Sequence, residues 1–440
     1  MKRLTIVLTL LVALCGVATA QLQSAPDVKG LEKKIRKSNE DIANPKKMEK
    51  VSTWHKRADL MMEVANAERM NCFPGMDAQL FRLQMGSPVE QREQTIGETN
   101  YAVQVMPRAE FYFANSALAL YKVTTPIEPN ALDKALEAFE KALTLEQKPR
   151  GKKDLYEGMN KLRSQYIQDA VNFYGLQEYK SAIQHFRKAI HISETPGIDI
   201  VDTLVYYNMG LASFLDKQYD EAMAAFRKAA DMGYTMGGAI YCTCYEAAAA
   251  AGKKDEGKEI LTSAIEKYPE QKCLALNLIN YYLEKGEQPT NVLPYLDKAI
   301  QNDPNNATLY FVKGVVYNNL EDFDQAEAAY RKAVELDPKY VDAYYNRAAM
   351  YYNQAVSLTN KALELPASQQ AEYEAMEKQI NVLFHKCIEP CEKALELDAN
   401  HAPSLDLLKS VYFRYRSEPG MSEKHEAIQK RIEALGSKPA

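Results

Sequence analysis

Small and bulky apolar residues recur in a fixed register along this chain. An alanine follows a bulky apolar residue by three places, and the pair returns every 34 or 35 residues. The pairs are Phe226 with Ala229, Leu261 with Ala264, Leu296 with Ala299, and Tyr330 with Ala333. Pro269, Pro304 and Pro338 follow the last three pairs, and a proline cannot continue a helix. Self-similarity at this period predicts stacked pairs of helices.

One segment shows the full pattern of such a unit. It reads Gly314-x2-Tyr317-x8-Ala326-x3-Tyr330-x2-Ala333-x4-Pro338. Small residues stand where two antiparallel helices cross closely, and tyrosines fill the space between neighbouring hairpins. The segment resembles the tetratricopeptide repeat, and the resemblance extends over most of residues 107–436. It implies an all-α fold, a right-handed superhelical solenoid of helix hairpins.

Earlier copies of the pattern are less regular. One copy carries Ala182, Phe186 and Ala189, with its first helix near residues 166–173. Another carries Ala135, Phe139 and Ala142, and we place its first helix at residues 110–121. Trp54 and Ala58 take the large and small places of a degenerate repeat within residues 21–106. Residues 71–106 are broken by Gly and Pro and give no clear pattern.

The last third of the chain departs from the regular period. The alanine of the Lys-Ala-aliphatic string moves from Ala333 to Ala394, which is one repeat plus a long insertion. We therefore predict a regular array over residues 107–340 and an elongated helical hairpin over 341–400, turning at residues 366–368. Pro390 should kink the second long helix. This hairpin is either a protruding partner surface or a brace against the next repeat. For residues 401–440 we predict polar capping helices and a tail.

The N-terminus has the order of a secretion signal. Lys2 and Arg3 precede an apolar run over residues 4–17, and Ala18-Thr19-Ala20 supplies the small residues that a signal peptidase requires. We expect residues 1–20 to be a signal peptide, cleaved before Gln21. Lipidation at Cys15 is the alternative, although the preceding Leu14 is larger than such a site favours. The resemblance to signal-bearing tetratricopeptide proteins implies the periplasm, or the periplasmic face of the outer membrane, of a Gram-negative bacterium.

Composition narrows the classes of partner. The formal net charge is −5 and no long basic block is present, so nucleic acid is not an expected partner. Residues 29–50 are basic but interspersed with Glu and Asp, which favours a solvated face over a membrane or partner contact. After signal cleavage, no segment has the length of a membrane span.

Motifs for catalysis are absent from the sequence. It contains no Gly-rich phosphate loop, no His-Glu-x-x-His and no Gly-x-Ser-x-Gly. Cys387 and Cys391 lie on one helical face near His385 and His401, which would suit a metal, but packing of small side chains is the favoured interpretation. We expect no enzymatic activity, no catalytic residue, no cofactor and no metal.

The resemblance also implies where partners bind. In that family the first helices of successive repeats line a concave face. The positions that this implies here are Tyr207, Phe214, Asn277, Tyr281, Phe311, Asn318, Asn319, Tyr345, Tyr352 and Asn353. Asn amides can satisfy a peptide backbone, and Tyr offers rigid apolar area with a polar tip. The pattern of Lys and Asn that grips a terminal carboxylate is missing from these helices.

The function expected from these features is an exported scaffold or adaptor that binds proteins or peptides, for example in envelope assembly or secretion. The alternative is a receptor for a small ligand or glycan in the same Tyr- and Asn-lined groove. The sequence leaves open the partner, the oligomeric state and whether the cysteines pair.

Overall fold

A computed structural model describes residues 26–436 of the chain, which divide in sequence into two compact units, one ending at Ala225 and the other beginning at Phe226. The predicted signal peptide at residues 1–20 lies outside the described residues. The prediction of an all-α fold of repeated helix hairpins is confirmed, with one small β-sheet that the sequence analysis did not predict. None of the helices within residues 26–436 has the length and apolarity needed to cross a membrane.

The helices of the first unit pack mainly in pairs. Their bounds are α1 (Val28–Ala43), α2 (Val51–Glu68), α3 (Ala78–Met85), α4 (Ala131–Leu145), α5 (Pro149–Gly175), α6 (Tyr179–Ser193) and α7 (Thr203–Leu215). Helix α2 pairs with α4, α5 pairs with α6, and α6 contacts α7. Helix α8 (Tyr219–Asp231) runs across the boundary between the units.

An antiparallel sheet is inserted between α2 and α4. Its strands are β1 (Glu90–Ile96), β2 (Thr99–Val105), β3 (Ala109–Ala114) and β4 (Ala117–Val123), in that order across the sheet. Two tight turns allow this: Gly97 follows β1 with a φ of 62°, and Asn115 and Ser116 follow β3, also with positive φ. Asn tolerates the left-handed region better than most residues. Phe81 of α3 lies against Phe111 and Phe113, with ring centroids 4.8 and 5.2 Å away.

This sheet corrects the expected first helix at residues 110–121 and, with it, the expected partner of α4. Residues 110–121 do not form the first helix of a repeat, because β3 and β4 occupy them. Helix α4, with its buried Ala135 and Phe139, instead completes the hairpin that α2 begins. Trp54 and Ala58 both lie on α2, and the sheet separates α2 from α4 in sequence.

Side chains of α5 and α2 hold the sheet in place. The amide of Asn172 accepts from the backbone N–H of Tyr121 and donates to its carbonyl, both at 2.8 Å. The buried guanidinium of Arg69 lies 2.7 Å from Asp169 and donates to the hydroxyl of Tyr121 at 3.2 Å. A buried charge needs a partner of opposite charge, so this cluster fixes β4 against α5.

The second unit is a series of helix hairpins. Its helices are α9 (Ala239–Ala250), α10 (Lys254–Ile265), α11 (Lys272–Glu284), α12 (Leu293–Asn302), α13 (Ala307–Asn319), α14 (Phe323–Leu336), α15 (Val341–Leu363), α16 (Gln370–Lys386), α17 (Ile388–Leu397), α18 (Ala402–Arg414) and α19 (Met421–Gly436). A disulfide joins Cys242 of α9 to Cys273 of α11.

An elongated hairpin runs from α15 to α17, and its second arm is broken. Helix α15 has 23 residues, and α16 and α17 return along it. The break falls at Cys387, three residues before Pro390. Proline has no N–H to donate to the carbonyl four residues earlier, which explains an interruption there.

Candidate partner-binding surface

The first helices of the second unit lie side by side. Helix α9 contacts α11, α11 contacts α13, α13 contacts α15, and α15 contacts α18. Small residues permit the close packing of each hairpin: a Cβ atom on Gly314 of α13 would lie 2.6 Å from the ring of Tyr330 on α14. We use the name first-helix surface for the exposed side of α11, α13 and α15.

One ion pair links the two outer helices of this surface. The Nζ atom of Lys272 lies 2.7 Å from Asp342 Oδ2, and 5.7 Å from the ring centroids of both Phe311 and Tyr340. Partial burial is the largest single influence and would lower the pKa of Lys272, but the hydrogen bond to Asp342 and the charges of Tyr340 and Asp342 together outweigh it, so the pKa is raised. The lysine therefore stays charged and joins α11 to α15 across α13.

Two of the predicted binding residues are largely inaccessible. Phe311 is 5% exposed and lies between Tyr330 and Tyr340, with ring centroids 6.1 and 5.1 Å away. Tyr281 is 9% exposed and donates its hydroxyl to Asp255 at 2.6 Å. These rings support their neighbours, because little of either is left for a partner to contact.

Two further tyrosines pack against the hairpin that follows. Tyr345 meets the ring of His401 edge-on at 5.1 Å, and Tyr352 meets Phe384 at 5.4 Å. Both tyrosines remain half-buried, so part of each ring faces solvent. Edge-to-face contacts of this kind stabilise aromatic pairs, which gives these residues a structural role whether or not they bind a partner.

The asparagines are the more available groups of this surface. Asn319 and Asn353 are exposed, and Asn277 and Asn318 are half-buried. Asn319 donates to the carbonyl of Val315 in its own helix at 2.8 Å. The side-chain amides of the other three make no hydrogen bond within the described residues. Each can both donate to and accept from a peptide backbone.

In the first unit, Tyr207 and Phe214 lie on α7. The ring of Phe214 meets Tyr219 at 5.4 Å. Burial is the main cause of the raised pKa of Tyr174, about 12, and the neighbouring Tyr179 and Tyr207 add to it. Tyr207 therefore belongs to a group of tyrosines on α5, α6 and α7, all half-buried.

The thiols do not form a reactive site. Burial raises the pKa of each unpaired cysteine between residues 26 and 436 to about 12; these are Cys72, Cys244, Cys387 and Cys391. A thiol that holds its proton at neutral pH is a poor nucleophile and a poor metal ligand. Cys387 donates to the carbonyl of Phe384 at 2.8 Å. Across the described stretch, no group of three or more His, Cys, Asp or Glu side chains could hold a metal ion.

Sequence reasoning missed Lys272 and Tyr340. Neither residue is among the ten positions that the family resemblance implies for partner binding, because each lies just before its first helix or at the first residue of it. A signal for them does exist, since residues 272, 306 and 340 follow the 34-residue phase. At the equivalent position, Asn306 forms no such ion pair; its side chain accepts from the backbone N–H of Thr308 at the start of α13.

Paired helices whose first members lie side by side define a helical-repeat protein. Sequence models of the tetratricopeptide repeat match residues 204–232, 307–340 and 329–364. The chain carries tetratricopeptide repeats in these segments.

Solved structures of repeat proteins resemble the chain at low identity. A TPR repeats protein from Bacteroides fragilis is 18% identical over 57% of this chain and 97% of its own, with a TM-score of 0.29. The C-terminal part of a TPR repeat-containing protein from Cytophaga hutchinsonii is 16% identical over 62% and 96%, with a TM-score of 0.36. YrrB, a TPR protein with an unusual peptide-binding site, is 21% identical over 55% and 89%, with a TM-score of 0.26. No curated protein matches the chain.

Proposed function

We propose that this protein is an exported scaffold that binds an extended segment of a partner protein on the first-helix surface. The observation that carries the proposal is the set of uncommitted amides on three adjacent helices: Asn277 on α11, Asn318 on α13 and Asn353 on α15. A partner peptide has one N–H and one C=O per residue, and amides spaced across a groove can satisfy them without reading its side chains.

The ion pair of Lys272 and Asp342 favours a preorganised surface. It spans α13 and holds the outer helices at a fixed separation. A surface that is already ordered loses less entropy when a partner binds, which increases affinity. Binding of this kind needs no catalytic group, and we propose no enzymatic activity for the chain.

Export is supported by two independent features. Residues 1–20 have the order of a signal peptide, and the disulfide between Cys242 and Cys273 requires an oxidising compartment to persist. We place the protein in the periplasm, or on the periplasmic face of the outer membrane, of a Gram-negative cell, where an envelope protein would be its partner. Mass spectrometry of the purified protein tests the export step. An N-terminus at Gln21 supports cleavage by signal peptidase, and a lipidated Cys15 supports the lipoprotein alternative. An unprocessed chain contradicts both.

The binding role is tested with a matched pair of variants. One removes three amides of the first-helix surface: Asn277→Ala, Asn318→Ala, Asn353→Ala. The other removes three exposed amides of second helices: Gln301→Ala on α12, Gln325→Ala on α14, Gln379→Ala on α16. Wild type and the glutamine variant should capture the same envelope protein in a mild crosslinking pull-down, and the asparagine variant should lose it.

Capture by all three proteins equally would place binding elsewhere, with the elongated hairpin of α15 and α16 as the next surface to test. Thermal shifts with a panel of peptides and glycans separate the alternative function. Stabilisation by glycans and not by peptides would favour the small-ligand receptor.

A further inference from the structure

The first helix hairpin carries a strong local excess of positive charge. Residues 33–56 contain eight Lys and Arg against three Asp and Glu, a net charge of +5 in a chain whose total is −5. All eight basic side chains are exposed. Charge of one sign that is concentrated on one surface attracts a partner surface of the opposite sign.

The inward face of α1 is apolar and neutral. Leu31 and Ile35 are buried on it. One turn further on, the guanidinium of Arg57 on α2 donates to Ser38 at 3.1 Å and to Asn39 at 2.8 Å. These contacts determine which way α1 faces, so the remaining face of the helix must point outward.

The outward face of α1 is a basic stripe. Lys29, Lys33, Arg36 and Lys37 follow one another at steps of four, three and one residues, which places them on the same side of a helix. Side chains of all four are exposed and form no ion pair within the described residues. Two acidic residues adjoin the stripe: Glu40 at its end, and Glu32 at its edge, three residues after Lys29 and four before Arg36.

The stripe continues onto the loop after α1 and the first turns of α2. The Nζ atom of Lys47 lies 2.5 Å from Asp41 Oδ1. The hydrogen bond from Lys47 is the main cause of the lowered pKa of Asp41, and the charges of Lys37 and Lys56 contribute to it. Three lysines thus surround one carboxylate, and two of their charges remain unbalanced.

Apolar and aromatic groups accompany these cations. Trp54 is half-buried and donates its indole N–H to the carbonyl of Met48 at 2.6 Å. The side chain of Met48 is 39% exposed beside it. Tryptophan favours the boundary between lipid headgroups and acyl chains, because its ring is apolar and its N–H is polar.

We propose, in place of the solvated face that the mixed charges of residues 29–50 favour, that this basic surface, residues 29–56, docks the protein on a bilayer that contains anionic lipid. A bilayer offers a plane of negative headgroups to the cations and a shallow apolar layer to Met48 and Trp54, which matches the composition of the surface. The proposal does not rest on partner binding at the first-helix surface, which belongs to the other unit.

The electrostatic contribution is large enough to measure. Each Lys or Arg near an anionic membrane surface contributes about a fivefold increase in partitioning. Neutralising three of them should therefore weaken binding by about a hundredfold. The attraction should also fall steeply with salt, since exposed charges are screened within about 10 Å at 0.1 M ionic strength.

Trp54 is the one tryptophan of the sequence, so its fluorescence reports on this surface alone. Processed protein is titrated with vesicles of phosphatidylcholine, with and without 30 mol% (about a third) phosphatidylglycerol. We expect binding and a blue shift of the emission with the anionic vesicles only, both reversed by high salt.

A matched pair of variants makes the result specific. Lys33→Gln, Arg36→Gln, Lys37→Gln should weaken binding by about a hundredfold. Lys148→Gln, Lys153→Gln, Lys161→Gln, at exposed lysines of α5 and the residue before it, should leave binding unchanged. Equal binding to neutral vesicles, equal loss in both variants, or binding without an emission change would overturn the proposal. So would preferential binding of DNA or polyglutamate that these vesicles do not displace.

Discussion

The ammonium group of Lys272 lies 2.7 Å from the carboxylate of Asp342, although the two residues are 70 positions apart in sequence. Lys272 begins α11, and Asp342 lies in the first turn of α15. The ring of Phe311, from α13 between them, lies below the ammonium. Three successive repeats thus meet at one charged contact.

This contact should contribute modestly to stability. Both side chains are about half exposed, so solvent screens much of the attraction, and we expect a coupling energy of about 0.5–1 kcal/mol. A double-mutant cycle with Lys272→Met and Asp342→Asn, followed by urea unfolding, measures it. Additive effects of the two substitutions would show that the pair does not couple the helices.

Gly314 should be intolerant of even one added methyl group. A Cβ atom there would lie 2.6 Å from the ring of Tyr330, which is fully buried and cannot move aside. Gly314→Ala should lower the free energy of unfolding by about 1–3 kcal/mol. The control is Gly151→Ala, where the new Cβ would meet the flexible end of Glu146, and alanine favours the helix by up to ~1 kcal/mol. A neutral Gly314→Ala would contradict the packing described here.

The pair of Arg69 and Asp169 should be the most sensitive polar contact of the first unit. Removing one partner by Asp169→Ala leaves a buried guanidinium uncompensated and should cost about 3–5 kcal/mol. Glu63→Ala, which breaks the exposed pair with Lys34, should cost less than ~1 kcal/mol. Similar losses in both variants, measured by chemical denaturation, would mean that the network does not hold the sheet.

The disulfide should stabilise the second unit mainly through the unfolded chain. It closes a loop between residues separated by 31 positions, and a loop of that size predicts about 3.7 kcal/mol. Dithiothreitol should lower the melting temperature of wild type to that of a Cys242→Ala, Cys273→Ala variant. The variant itself should not respond to the reductant. A wild-type protein that is equally insensitive would show that the bond is absent in solution.

Much of the repeat pattern was predictable, because packing limits the residue types allowed at a crossing. Ala229, Ala264, Ala299 and Ala333 are all buried, and the small Gly314 lies where α13 and α14 cross closely, as expected, with Tyr330 packed against it. These positions keep their phase in sequence, so they can be recognised without knowing the fold.

The hairpin of α2 and α4 was only half predicted, for a physical reason. Its halves carry ordinary repeat residues, Ala58 and Phe139, but the inserted sheet removes the fixed spacing between them. Residues 110–121 are also rich in alanine and leucine, which favour a helix locally, and strand pairing overrides that preference.

The binding surface was less predictable than the fold. The positions that the family resemblance implies identify residues on the first helices, but they do not show how far each side chain is buried. Phe311 and Tyr281 were expected to face a partner, and their neighbours cover them. Lys272 was overlooked, since its role depends on a residue two repeats away. The binding residues remain predictions.

Site-specific photo-crosslinking tests the central claim most directly. A photoreactive amino acid replaces Asn353 on α15 of the first-helix surface or, as a control, Gln325 on α14; both positions are exposed. After irradiation of intact cells, we expect the Asn353 position to capture one defined envelope protein and the Gln325 position to capture none. Capture from both positions alike, or from neither, would contradict the assignment of the first-helix surface as the partner-binding site.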